Sequence, residues 1–180
     1  MAERSPAAEI LIGRAVFVAA VALTVFVSLL PLGSQPRGWA PPDLILAFTL
    51  AWVARRPDFV PVALIAAVFL MLDLLYQRPP GLWAGIVVVV TEILRRRSGD
   101  LRAVPFSVEW ATAALAIVAI CLGYRAMLAV AFVPAPPLSL SMIEMVLTVL
   151  VYPVAAFVSW IVFGVRRPAP GEVDSLGHRL

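Results

Sequence analysis

The sequence predicts an all-α integral membrane protein with about six transmembrane helices, both termini cytoplasmic. The first observation behind this is composition. Of 180 residues, 62% are hydrophobic and 14% charged, against roughly 45–50% and about 25% in soluble domains. Mean hydropathy is +0.98. The second is a succession of apolar runs separated by Pro- and Gly-rich loops. The third is the placement of arginine, the sole basic residue type apart from His178, at alternate loops. Together they predict a single polytopic membrane domain over 1–165 and a polar cytoplasmic tail over 166–180, with no soluble second domain.

The first run, about Leu11 to Leu30, is of spanning length, since roughly 20 residues rising 1.5 Å each cover ~30 Å of hydrocarbon. Its apolar stretch exceeds that of a signal peptide, and Leu30-Pro31-Leu32-Gly33 offers no small-x-small cleavage site, so it reads as a retained span. After a Pro/Gly-rich loop (31–42), a second run from Asp43 to Ala54 is short, at about a dozen residues. The third, Phe59 to Tyr76, is long enough to cross. The fourth, Gly81 to Leu94, is again short. The fifth and sixth, Trp110 to Val133 and Met142 to Val165, are of spanning length. Segments as short as the second and fourth can cross or can dip in and return, and the sequence leaves both open. Pro61 and Pro153 are expected to kink or loosen the third and sixth helices.

Arginine is retained on the cytoplasmic side of bacterial membranes. With six spans and the N-terminus inside, eleven arginines fall inside: Arg4 and Arg14; Arg55 and Arg56; Arg95, Arg96, Arg97 and Arg102; and Arg166, Arg167 and Arg179. Outside lie Arg37 and Arg78, and Arg125 sits within a span. Four spans give ten against three, so the bias favours six. Arg55, Arg56, Arg95, Arg96, Arg97, Arg166 and Arg167 are the anchors of this topology, in the bacterial inner (cytoplasmic) membrane.

Ionisable groups within a bilayer cost roughly 2.5–3.5 kcal/mol each at a helix centre, so they mark function or internal pairing. Asp43, Asp73, Arg78, Arg125 and Glu144 all fall toward the outer half, and of these Asp73, Arg125 and Glu144 are the candidate polar or partner contacts. An Arg125–Glu144 or Arg125–Asp73 ion pair is expected. Glu92 and Glu109 read as counter-ions to Arg95, Arg96 and Arg97. Two small-residue patterns predict close helix packing: Ala63, Ala66, Leu70 and Asp73 on the third span, and Gly81 and Gly85 on the fourth. Glu144, Thr148, Tyr152, Ala155 and Ser159 repeat at helical spacing and predict a polar, small face of the sixth span turned toward protein. Trp39, Trp83 and Trp110 lie at expected membrane boundaries.

Catalytic signatures are missing: there is no HExxH, GxSxG or phosphate-binding loop, and no cysteine or histidine cluster. His178 lies in the tail and Cys121 is the lone cysteine, so neither a Ser–His pair in the membrane nor an intrachain disulfide can form. The reading is a protein that is not an enzyme and carries no cofactor, no metal and no nucleic-acid partner.

Four stretches carry a resemblance: PPDLILAFTLAWVARRPDFVPV (41–62), FLMLDLLYQRPPGLWAG (69–85), TEILRRR (91–97) and YPVAAFVSWIVFGVRRP (152–168). Pro42 opens the short second span, Asp73 precedes a Pro-Gly-Leu turn, and a closing apolar helix ends in basic residues. In these features the chain resembles MreD, the rod shape-determining membrane proteins of bacteria. The resemblance implies a non-enzymatic scaffold of the cell-elongation complex. It would bind MreC and, indirectly, the MreB filament and the RodA–transpeptidase peptidoglycan synthase, among membrane lipids. It also implies a fold similar to the six-helix substrate-binding components of energy-coupling-factor transporters. The alternative is therefore a component of a small-solute (vitamin) transporter, with Asp73, Arg125 and Glu144 in its pocket. Few aromatics flank Arg125 in sequence beyond Tyr124 and Phe132, which favours the scaffold.

Overall fold

The computed structural model describes residues 6–30, 40–101 and 104–165. Arg4, Arg37, Trp39, Arg102, Arg166, Arg167, the tail 166–180 and most of the 31–42 loop lie outside the described residues. Six α-helices follow one another: α1 (Pro6–Leu29), α2 (Leu44–Arg55), α3 (Val62–Leu75), α4 (Leu82–Leu101), α5 (Phe106–Val130) and α6 (Leu138–Phe163). A single 3-10 turn, Pro57–Phe59, joins α2 to α3, and there is no strand among the described residues. Among the described residues three helices are long and apolar enough to cross a membrane: α1, α5 and α6.

Helix α2 is the axis of the bundle. Nine of its 12 residues are buried, and it packs against α6, α4, α5 and α1. Asp43 starts it by accepting the Leu46 N–H at 2.9 Å, the side-chain cap that an exposed helix start needs. A helix of 12 residues is only about 18 Å long, so the shortness read from sequence reflects a helix enclosed by longer ones.

The third span is shorter than expected. Pro61 is not inside α3 but precedes it in an extended conformation (φ −60°, ψ 156°), because a proline N-terminal to the first turn removes no helical hydrogen bond. The α3 helix therefore has 14 residues, about 21 Å. Its buried face is Ile65, Val68, Phe69, Leu72 and Asp73. Ala63 and Leu70 are exposed and Ala66 is half-buried, so of the predicted small-residue stripe only Asp73 lies on the packing face: the large apolar side chains turn inward instead. The fourth helix, in contrast, continues through Arg95, Arg96 and Arg97 to 20 residues.

Cross-links fix the direction of each helix. Glu9 of α1 pairs with Arg56 after α2, and Arg95 of α4 donates to the Pro57 carbonyl at 2.6 Å and to that of Val60. Glu109 near the start of α5 meets Arg55, and Ser159 late in α6 accepts the Trp52 indole N–H at 2.9 Å. These contacts gather at what is here termed the elbow end, around residues 55–60. At the opposite, turn end, Ser28 of α1 meets the Tyr76 hydroxyl at 3.1 Å. Successive helices thus run in alternate directions.

The predicted polar face of α6 is observed: Thr148, Tyr152, Ala155 and Ser159 are buried. The Thr148 hydroxyl accepts the Asp43 N–H at 2.9 Å. Pro153 lies inside α6 and has no N–H to give the Val149 carbonyl one turn earlier. The indole N–H of Trp110 on α5 supplies that donor at 2.9 Å. Trp110 is therefore an internal link between α5 and α6.

Candidate functional site

The elbow end is a network of paired charges. Arg55 Nε donates to Glu109 Oε1 at 2.9 Å, and Arg55 Nη1 donates to the Ala156 carbonyl at 2.9 Å. The Tyr152 hydroxyl donates to the same Glu109 oxygen at 2.9 Å. Glu109 is 1% exposed, so α2, α5 and α6 meet at one buried carboxylate. Glu92 pairs with Arg95 and Arg96 (3.2 and 3.3 Å), as expected, but Glu109 does not serve that cluster. It sits at the start of a different helix, facing Arg55.

Asp73 is also internal. The tight turn after α3 places Gln77 in the left-handed region (φ 54°), and Arg78 N–H donates back to the Asp73 carbonyl at 2.9 Å, the hydrogen bond that closes a Schellman motif. Gly81 then adopts φ 81°, open to glycine without strain. The turn brings the start of α4 over the end of α3, and Asp73 Oδ2 accepts the N–H groups of Gly81 and Ala84 at 3.0 and 3.2 Å. A carboxylate on unpaired N–H groups at a helix start is favoured by hydrogen bonding and by the helix dipole together. Neither ion pair expected of Arg125 forms. Among the described residues the pairs are Arg55–Glu109, Arg56–Glu9, Arg95–Glu92 and Arg96–Glu92.

The glycine reading is corrected too. A Cβ at Gly81 or Gly85 would meet nothing within 4 Å, so neither is a close helix contact; Gly81 serves the turn. The close approach is at Gly13, where a Cβ would lie 2.5 Å from the Phe59 ring.

The candidate site is the cavity that remains at the turn end, about 370 Å³, between the α3–α4 turn, the end of α5 and the start of α6. Arg78, Arg125 and Glu144 line it, with Tyr76, Trp83 and Tyr124 as walls. Arg78 lies over two rings, 4.9 Å from the Trp83 centroid and 5.4 Å from that of Tyr76. Trp83 meets Tyr124 edge-on at 5.0 Å. Arg125 Nη1 donates to the Ser141 hydroxyl at 2.8 Å and the Pro136 carbonyl at 3.0 Å, both neutral acceptors. Of the three expected contact residues, the fold brings Arg125 and Glu144 to one cavity and assigns Asp73 to a helix cap. Trp83 and Tyr76 were missed as site residues, and Arg78, noted only as an outer-half charge, was not joined to Arg125: they lie 42 or more positions from it, and only the α3–α4 turn brings them there. Among the described residues, no three His, Cys, Asp or Glu side chains converge in a way that could hold a metal ion.

An all-helical bundle with three helices long and apolar enough to cross a bilayer defines a membrane-embedded α-helical protein. In comparisons with known proteins, no family model, no curated protein and no solved structure matches the chain.

Proposed function

We propose that this chain is a non-enzymatic scaffold of the bacterial cell-elongation complex in the inner membrane, an MreD-like protein. It binds MreC and through it couples MreB and the RodA–transpeptidase synthase. One observation carries this reading: Asp73, Arg55, Tyr152 and Arg95, all in the resembling stretches, are engaged in holding helices together. Asp73 caps α4, Arg55 and Tyr152 share Glu109, and Arg95 pins the elbow. A chain in which these residues build architecture suits a scaffold. The same proposal has six crossings, both termini cytoplasmic, and kinship of fold with the six-helix transporter components. Alternating helix directions and the gathering of Arg55, Arg56 and Arg95 at one end support it. Depletion followed by microscopy tests the role: cells losing rod shape are expected, and cells that keep it would exclude the scaffold.

The second reading, a small-solute transporter component, is favoured by the aromatic walls that Trp83, Tyr76 and Tyr124 give the charged cavity. Purification from native membranes separates the two: a retained bitopic partner supports the scaffold, a retained small solute the transporter component.

A further inference from the structure

The turn-end cavity contains more polar capacity than its own side chains use. Arg78 makes no ion pair among the described residues and is held by the faces of Tyr76 and Trp83. A guanidinium stacked on rings keeps its N–H edge available for an anion. Arg125 is steadied by Ser141 and Pro136, so its charge meets no carboxylate within ion-pair distance. The indole N–H of Trp83, itself 5% exposed, is buried without an acceptor. A buried donor left unpaired costs about 1–3 kcal/mol, which a ligand acceptor would recover. Glu144 adds a carboxylate with no hydrogen bond or ion pair among the described residues.

We infer that this cavity binds a zwitterionic head group bearing a phosphate and an ammonium, the phosphate on Arg78 and Arg125 and the ammonium on Glu144. Two guanidiniums suit a phosphate, which accepts short charge-assisted hydrogen bonds. The separate carboxylate excludes a purely anionic ligand of the same size and selects one that also carries a cation. The aromatic walls reinforce this, since ring faces attract ammonium groups. The chemistry is shared by a membrane phospholipid and by a soluble phosphoamine, and the two are separable by experiment. The inference rests on the cavity and is independent of the scaffold role.

The test is calorimetric titration of the full-length purified protein in detergent. Four probes are used: dihexanoyl phosphatidylethanolamine, O-phosphoethanolamine, dihexanoyl phosphatidylglycerol and inorganic phosphate. Saturable binding of an ammonium-bearing probe is expected, roughly tenfold tighter than its anionic counterpart. Arg78→Ala and Arg125→Ala each weaken it by about tenfold or more. Glu144→Gln retains the phosphate affinity and removes the preference for the ammonium. Binding of the lipid alone identifies a membrane lipid as the source, and equal binding of O-phosphoethanolamine identifies a soluble one. Thermal unfolding checks that each variant is folded. Should an alanine variant fail that check, Arg125→Lys and the near-isosteric Glu144→Gln carry the test. No saturable binding, equal affinity for all four probes, or affinity unchanged in the variants would overturn the inference.

Discussion

At the elbow end, Arg55 meets Glu109 and the Ala156 carbonyl, and Arg95 meets Glu92 and two backbone carbonyls. At the turn end, Arg125 finds a hydroxyl and one carbonyl, and Arg78 finds two ring faces. The same residue type thus does two jobs. Where a carboxylate is supplied by the chain itself, the charge locks helices together. Where a cavity is left in front of it, the charge is available to something else. Burial follows the same division: Glu109 is fully enclosed, whereas Glu144 is only partly so.

The largest expected effect comes from breaking the elbow lock. Glu109→Ala leaves Arg55 without its counter-ion at a buried site and removes an acceptor from Tyr152, a loss of about 3–5 kcal/mol. It should appear as failure to accumulate in membranes, or as a large fall in detergent unfolding midpoint. Near-normal accumulation would mean that the network does not hold the bundle. Next is Asp73→Ala, which strips two N–H groups at the start of α4 of their acceptor, at about 1–3 kcal/mol. Hydrogen exchange at Gly81 and Ala84 should quicken while the elbow stays protected, and uniform quickening would argue against a local cap.

How much of this could be read in the sequence depended on whether the signal was local. The helical spacing of Thr148, Tyr152, Ala155 and Ser159 revealed the buried face of α6, because periodicity belongs to one helix. The pairing of Glu92 with Arg95 and Arg96, one turn away, was legible for the same reason. Glu109 was assigned to Arg95, Arg96 and Arg97 and pairs with an arginine 54 positions away, which no local pattern encodes. Gly81-x-x-x-Gly85 matched a packing motif, but the same glycine serves a turn requiring positive φ, and spacing cannot distinguish these uses. Arg125 and Glu144 were found as costly residues in apolar runs. Trp83 and Tyr76 were not, since an aromatic wall exists only once α3 and α4 fold back on each other.

Smaller effects sharpen the contrast. Trp110→Phe removes the donor to the Val149 carbonyl and should cost about 0.6–1.7 kcal/mol, the range of interhelical hydrogen bonds in membranes. Pro153→Ala restores a backbone donor to that carbonyl, so Trp110→Phe should cost measurably less in the Pro153→Ala background. Additive losses in this double-mutant cycle would contradict the link. Smallest is Gly85→Ala, expected to leave the unfolding midpoint unchanged or slightly raised. Gly13→Ala, by contrast, should cost about 1–3 kcal/mol of stability through the clash with Phe59.

The division between locked and open charge is tested most directly by unfolding Arg55→Ala and Arg125→Ala side by side in the same detergent. Arg55→Ala is expected to lose about 3–5 kcal/mol, and Arg125→Ala no more than about 1 kcal/mol. Equal losses, or a greater loss at Arg125, would contradict the account.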